Sequence, residues 1–214
     1  MFKTFRNALK IKDIRSKLLF TFICLIIVRI GCQLPVPEVD REYFQYWMAM
    51  QTGFGFLNTL TGGSFSQMSI FALNISPYIT SSIIMQLLTI AIPKLEEMQK
   101  DGESGRKKIA EWTRYVTIGL AVFESIMMTI GFNNSGLLEE GNLFLQILVI
   151  TASFTAGSAF LMWLGEQITE KGIGNGISVI LLINIVASLP NDFTGLYNQF
   201  IVGADNVVKA VIAA

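Results

Sequence analysis

The chain of 214 residues is 52% hydrophobic and only 15% charged, and its 16 basic side chains balance its 16 acidic ones. Its uncharged apolar runs are too long for a soluble core of this size, so the composition indicates a membrane protein. With no histidine and only two cysteines, the sequence excludes most metal centres and any thiol–imidazole catalytic pair.

The chain begins with a basic stretch. Residues 1–17 contain six lysines and arginines and one acid, which is typical of a cytoplasmic arm. A first span is predicted over residues 16–34, closed by Pro35. Cys32 is compatible with a processed lipoprotein signal, although Arg29 interrupts the apolar run just before it. A cleaved signal peptide is a second alternative, although no small-residue cleavage site follows the apolar run. Arg29 is interpreted as an anchor that extends to the outer membrane surface.

Residues 60–92 follow a polar loop and are predicted to form a broken membrane element. Its second half, residues 75–92, is uncharged and long enough to cross about 30 Å of hydrocarbon at about 1.5 Å per residue. Its first half, residues 60–73, is too short and too polar to cross, and Asn74 and Pro77 interrupt the helix between the halves. Irregular backbone at membrane depth survives only beside protein or a water-filled cavity, which indicates a transporter or a channel.

The remaining chain alternates charged and apolar stretches. Residues 94–114 are charged throughout and are predicted to form a cytoplasmic loop around the flexible residues 102–105. Three further spans are predicted at residues 115–132, 143–164 and 173–189. The last span is expected to stop before Pro190, and residues 190–214 are assigned to the external side.

Lysines and arginines set the orientation. They are concentrated in residues 1–17 and 94–114, so both stretches are predicted to face the cytoplasm. Residues 60–73 then enter from the outer face and stop midway, because a full crossing would place residues 94–114 outside. We predict an all-α, multi-pass membrane protein with five spans, a re-entrant half-helix, a cytoplasmic N-terminus and an external C-terminus.

Two features invite a chemical interpretation. Glu124 lies near the middle of the third span, where a charge costs about 2.5 kcal/mol or more, so it is expected to face protein or be protonated; a proton relay is an alternative.

Gly172, Gly174 and Gly176 resemble a nucleotide-binding fingerprint, but no strand precedes them. These glycines are predicted to form a turn between two helices. Glu166, close to that turn, is predicted to be an ordinary water-facing charge.

Four stretches carry a family resemblance. In chain order they are RIGCQLPVPEVD (29–40), LTGGSFSQMSIFALNISPYITSSIIMQLL (60–88), KDGESGRKKIAEWTRY (100–115) and FLMWLGEQITEKGIGNGISVI (160–180). With them the chain resembles the N-terminal half of the SecY family, the central subunits of the bacterial Sec protein-conducting channel. The resemblance implies ten spans in two inverted halves, an hourglass pore between the halves, and a plug that closes the outer funnel.

The resemblance also implies site residues. Ile79 and Ile83, on a lateral-gate helix that begins near Ser76, and Ile185 on the fifth span would form part of a pore ring. Ile79 and Ile83 are four apart and share a helix face, where branched apolar side chains can exclude water and ions. Without the resemblance, the same spacing is more typical of ordinary packing or of lipid contact. The plug would comprise Leu60, Thr61, Gly62, Gly63, Ser64, Phe65, Ser66, Gln67, Met68, Ser69, Ile70, Phe71, Ala72 and Leu73. A cytoplasmic partner would contact Arg106, Lys107 and Lys108.

The plug is expected to be held weakly. The Gly62-Gly63 pair is flexible, and the serines of residues 60–73 are expected to prevent deep apolar packing.

The implied function is conduction of unfolded secretory proteins across the bacterial cytoplasmic membrane and release of transmembrane segments into it, without an active site, cofactor or metal. The implied partners are SecE-like and SecG-like small subunits, a SecA motor or a ribosome, signal peptides and nascent chains, and a C-terminal SecY half, within membrane lipid and without nucleic-acid binding beyond ribosome contact. Two alternatives remain: a small-solute transporter using Asn74, Ser76 and Asn184 near the break, and an intramembrane enzyme, for which no catalytic pair is visible.

Overall fold

The computed structural model describes residues 11–50, 54–138 and 141–197. Its helices are α1 (Lys12–Gly31), α2 (Arg41–Met50), α3 (Gly55–Leu60), α4 (Ser76–Ala91), α5 (Pro93–Lys100), α6 (Glu103–Asn134), α7 (Leu143–Lys171) and α8 (Gly176–Tyr197). Two isolated bridges, Pro35 with Ser69 and Val39 with Leu138, are the β contacts of the described residues. The all-α prediction is confirmed, while residues 1–10 of the predicted arm and 198–214 of the predicted external segment lie outside the described residues.

Local sequence signals explain where several helices begin. The side chain of Asn142 accepts a hydrogen bond from the backbone N–H of Phe144 (3.1 Å) at the start of α7, and Asn175 accepts one from Ile177 (3.1 Å) at the start of α8. Proline lies in the first turn of both α4 and α5, where its missing N–H costs nothing. These signals divide long apolar stretches into separate helices.

The long helices pack as neighbours. Helix α6 lies between α4 and α7, and α7 also contacts α1 and α8. Two buried apolar clusters hold them together, one around Phe44, Phe132 and Phe154 and the other around Val28 and Leu161. The chain between α3 and α4 contributes side chains to both clusters, so this connection lies at the centre of the molecule.

Three of the described helices, α6, α7 and α8, are long and apolar enough to cross a membrane. Helices α4 and α5 together make a fourth candidate, but the chain bends by 101° between them. Helix α1 is not in this group, because its uncharged run extends only over residues 18–28. By length and composition, three to four helices are therefore candidate spans.

The charged stretch 94–114 is helical and not a flexible loop. It consists of α5 and the first turns of α6, separated at Gly102, which has a left-handed φ of 80°. Gly105 lies so close to Met98 that a Cβ on Gly105 would collide with the Met98 carbonyl oxygen. The expectation of a loop at residues 103–105 is wrong, because these residues begin α6 and the close approach joins α5 and α6 into a helical hairpin.

Pro190 does not end the last helix. Helix α8 continues through it to Tyr197, so the predicted stop is wrong. Proline removes one backbone donor, yet membrane helices tolerate it where nearby side chains satisfy the freed groups. The carbonyl that loses its usual helical donor is that of Val186, and the Ser188 hydroxyl donates to the adjacent carbonyl oxygen, that of Ile185 (2.9 Å).

Candidate functional site

Residues 61–75, here called the turn segment, connect α3 to α4 through consecutive turns. Left-handed backbone occurs at Gly62 (φ 65°), Gly63 (φ 86°), Met68 (φ 46°) and Asn74 (φ 53°). Each such residue interrupts a right-handed helix. The predicted half-helix over residues 60–73 is therefore wrong in its geometry, although the interruption near Asn74 is where the sequence placed it.

Serine hydroxyls satisfy much of the backbone inside the turn segment. Ser64 Oγ lies 2.9 Å from the Thr61 carbonyl oxygen and 3.1 Å from that of Phe71, while Ser69 Oγ accepts a hydrogen bond from the Phe71 N–H. Both serines are fully buried. The prediction that serines prevent deep packing is wrong, because hydroxyls that pair with turn carbonyls remove the cost of burying them.

Two glycines let the turn segment approach α1 and α7 closely. A Cβ on Gly31 of α1 would collide with the ring of Phe71, and a Cβ on Gly157 of α7 would collide with the Ile70 carbonyl oxygen. The Ile70 N–H also donates to the Leu34 carbonyl oxygen (3.0 Å), and residues close to these two form further backbone hydrogen bonds. The expectation that this segment is weakly held does not fit these contacts.

Polar side chains converge on the same segment from two helices. Arg29 Nη1 of α1 donates to the Gly62 carbonyl oxygen (3.2 Å), and Asn184 Nδ2 of α8 donates to Asn74 Oδ1 (3.2 Å). Asn74 Nδ2 in turn donates to the Leu60 carbonyl oxygen (3.1 Å). The interpretation of Arg29 as a lipid-surface anchor is wrong, because the half-buried guanidinium binds protein backbone.

The predicted ring positions are only partly brought together. Ile79 and Ile83 line one cavity of about 550 Å³ between α4, α6, α7 and α8, whereas Ile185 is not part of its lining. Ile79 is partly buried, and Ile83 and Ile185 remain 52% and 38% exposed. Ile83 and Ile185 thus face space that the described residues do not fill, whereas Ile79 packs partly against the second apolar cluster.

An ion pair missed by the sequence analysis lines the same cavity. Arg114 Nε of α6 lies 2.8 Å from Glu166 Oε1 of α7, so Glu166 is not the isolated water-facing charge that was predicted. The residues are 52 positions apart, and no local spacing signals their contact. The pair joins the charged end of α6 to the α7 end that precedes the Gly172 turn.

Three basic side chains predicted to contact a cytoplasmic partner lie on the first turns of α6. Arg106, Lys107 and Lys108 are exposed, and Lys107 forms an ion pair with Glu103 one turn earlier (2.9 Å). They form a solvent-facing basic surface.

Glu124 faces protein on one side. Its half-buried side chain lines a cavity of about 420 Å³ together with Phe65 and Leu73 of the turn segment and Met127 of its own helix. The described residues place no second carboxylate in this lining. A proton relay, which needs a second titratable group, gains no support from it.

In the described part of the chain, an all-α fold with several helices long and apolar enough to span a membrane, packed around a non-helical central segment, defines a class: multi-pass membrane proteins. The solved structure titled "The structure of a protein conducting channel" aligns with 89% of this chain and 39% of its own, with a TM-score of 0.58 and 20% sequence identity. Sec61 in the canine ribosome-channel complex from the endoplasmic reticulum aligns equally well (TM-score 0.58). At this identity the likeness shows the fold.

The family follows from sequence. The SecY family model matches residues 69–214. Protein translocase subunit SecY of Bacillus subtilis (strain 168) is 47% identical over 209 residues, which cover 96% of this chain and 48% of that protein. SecY of Synechocystis sp. is 46% identical over 189 residues, 88% of this chain and 42% of that protein. The chain belongs to the SecY family, and it spans about half the length of the curated relatives it matches.

Proposed function

We propose that this chain forms the N-terminal half of a protein-conducting channel, which passes unfolded secretory proteins across the membrane and releases transmembrane segments into it. The observation that carries the proposal is the 47% identity over 209 residues to a protein translocase subunit, which extends through nearly the whole chain. These relatives are named as translocase subunits, and the small-solute transporter alternative has no support among them. The channel needs no catalytic group, and we infer that the chain is not an enzyme.

The proposed topology has five spans with the N-terminus in the cytoplasm, formed by α1, α4, α6, α7 and α8. Arg29 supports α1 as a span, because a guanidinium that binds the Gly62 carbonyl does not have to face lipid. The 101° bend supports α5 as a helix that leaves the membrane and lies along its cytoplasmic surface. The basic residues of residues 1–17 and 94–114 then lie on the cytoplasmic side.

The turn segment acts in this proposal as the plug, with residues 60–73 as its main part. Irregular backbone is allowed at membrane depth when protein surrounds it, and this segment is packed by α1, α7 and α8. Ile79, Ile83 and Ile185 form one half of the pore ring. Their unfilled surroundings support this role, because the second half of the channel would face them.

The proposed partners follow from the same comparison. A C-terminal SecY half completes the pore, SecE-like and SecG-like small subunits bind the assembled channel, and a SecA motor or a ribosome contacts Arg106, Lys107 and Lys108. Signal peptides and nascent chains pass through the pore. Bacterial relatives support the bacterial cytoplasmic membrane as the location.

Complementation by two separate halves tests this function. The chain and a C-terminal SecY half are produced from separate genes in cells depleted of their own SecY, and export of a secreted reporter is measured. Together the halves should restore export, and each half alone should be degraded, because the exposed ring positions Ile83 and Ile185 and the polar side chains that line the 550 Å³ cavity lack their protein neighbour. Two halves that accumulate and assemble normally without exporting the reporter would contradict the proposal.

A further inference from the structure

Glu124 is the one charged residue in the apolar part of α6. All other residues of 115–132 are uncharged, and the helix is long and apolar enough to cross a membrane. A charge at this depth costs free energy unless a partner compensates it, and ionisable groups inside a membrane commonly mark the path of a substrate. Neither the proposed pore ring nor the proposed plug includes this carboxylate.

The carboxylate lines the cavity of about 420 Å³ between α3, the turn segment, the start of α4 and α6. Apolar side chains make up most of the lining, and the hydroxyls of Thr61 and Ser76 are its other polar side-chain groups. The described residues place no basic side chain in this lining, and none of their ion pairs includes Glu124. Within the described part of the chain, the carboxylate therefore has no cationic partner.

The cavity opens on a side that the described residues leave uncovered. Three of its lining side chains are exposed, those of Leu57, Phe123 and Met127. Ser76, which is also exposed, is the first residue of α4, the helix that carries the proposed ring residues Ile79 and Ile83. A segment that leaves the proposed pore for the membrane along the edge of α4 would pass the opening of this cavity.

A lysine or arginine in the middle of a transmembrane segment has the chemistry that this cavity fits. Such a side chain is costly in hydrocarbon, so a segment that carries it enters the membrane less readily. Glu124 supplies the opposite charge and two acceptor oxygens at a similar depth. The rings of Phe65 and Phe123 in the lining also attract cations. The volume of the cavity is typical of binding sites, which measure about 300–1,000 Å³.

We propose that Glu124 is a specificity-determining residue, which binds the lysine or arginine side chain of a transmembrane segment while the channel releases that segment into the membrane. This inference rests on the proposed function and deepens it, because it names a class of segments that the channel releases more readily. A segment with an acidic residue at the same depth meets like charge and is released less readily. A basic residue of the C-terminal half is the competing occupant of the cavity.

Insertion of model segments tests this role. The chain is assembled with its C-terminal half in cells depleted of their own SecY, and a reporter carries a leucine–alanine segment with one lysine at a varied position. Protease accessibility of the reporter gives the ratio of inserted to exported segments. Glu124→Gln keeps the shape of the side chain and removes its charge, so it should lower this ratio by about threefold for lysines near the middle of the segment, as expected for a partly exposed ion pair. Segments with leucine at the same position should be unaffected.

Two further variants separate the charge of Glu124 from general damage. Glu111→Gln is the matched control, because Glu111 is an exposed acid of the same helix that lies outside the cavity lining. It should leave the lysine segments unchanged. Glu124→Lys should reverse the preference, so that glutamate segments are inserted more and lysine segments less. An equal effect of Glu111→Gln, or lysine segments that Glu124→Gln leaves unchanged at every position, would overturn the proposal.

Crosslinking identifies the group that Glu124 contacts. A stalled segment with its lysine at the most sensitive position is treated with dicyclohexylcarbodiimide, which activates the carboxyl group so that the lysine amine displaces dicyclohexylurea and forms an amide bond. The segment should become linked to this chain, and Glu124→Gln should abolish the link. A link from Glu124 to the C-terminal half, or no link to the segment, would contradict the proposal. A channel that handles the secreted reporter and the leucine segment normally during such a failure leaves the proposed function standing, whereas a channel that handles neither overturns both.

Discussion

The absence of a Cβ at Gly31 and at Gly157 lets the turn segment lie directly against α1 and α7. At Gly157 the backbone of α7 meets the Ile70 carbonyl directly, and at Gly31 the ring of Phe71 fills the place of a side chain. Glycine in a membrane helix is often explained by its enrichment at helix–helix contacts. Here the partner of Gly157 is irregular backbone, so this glycine also keeps that backbone buried.

Gly157→Ala should destabilise the assembled protein by about 1–3 kcal/mol, because the new methyl group forces the Ile70 backbone away from α7. The matched control is Gly119→Ala on α6, where nothing lies within 4 Å of an added Cβ. Alanine there should be neutral or should stabilise the helix by about 0.5–1 kcal/mol. Thermal unfolding of both variants, followed by loss of the folded complex, measures the difference. Equal melting temperatures would contradict the close approach at Gly157.

At the scale of elements, the sequence predicts the long apolar helices well and their connections poorly, since the polar loop expected before residue 60 contains α2 and α3. Uncharged runs indicate α4, α6, α7 and α8, since few other structures can cross a membrane. The charged residues of 94–114 indicate exposure to water but not a loop, because Glu, Lys and Arg are good helix formers, and the hairpin of α5 and α6 therefore has no clear signal in the sequence. Only Gly102 among residues 102–105 leaves the helix.

The turn segment shows where prediction from one sequence ends. Its glycines and Asn74 signal left-handed turns, but Met68 has φ 46° and no sequence signal marks it. Contacts between residues that are distant in the chain are also not predictable from the sequence. Arg29 contacts Gly62 and Arg114 contacts Glu166 only because the helices pack together in three dimensions. The sequence predicts the position of the helix interruption near Asn74, but not its backbone conformation or its tight packing.

The ion pair between α6 and α7 should have a small, salt-dependent effect. Arg114→Gln removes the contact with Glu166, and because the two side chains are 47% and 26% exposed we expect a loss of about 0.2–1 kcal/mol. The charge-reversed pair, Arg114→Glu with Glu166→Arg, should recover part of that loss, and high salt should reduce the difference. Melting temperatures at low and high ionic strength test this. A loss that neither salt nor charge reversal changes would mean that packing of the Arg114 stem matters more than its charge.

At the scale of the whole molecule, the main feature is a surface that the described residues leave uncovered. The ring residues and the lining of the 550 Å³ cavity combine branched apolar side chains with polar ones such as Ser82 and Glu170. Such a mixture is unsuited to lipid and suits either a water-filled space or a second protein half. This surface agrees with a chain that spans about half of its relatives.

We propose that Ile79, Ile83 and Ile185 lie at the narrowest point of a pore, and ion conductance across planar bilayers distinguishes this role from ordinary packing. The channel is assembled with its C-terminal half, and asparagine replaces all three isoleucines. Wetting of an apolar constriction should let ions through the idle channel, while the unsubstituted channel stays closed. If the three residues only pack, the variant should instead lose about 2–4 kcal/mol of stability per side chain. Normal abundance and assembly with ion leakage is the predicted result, and an unstable variant that stays impermeable would contradict the account.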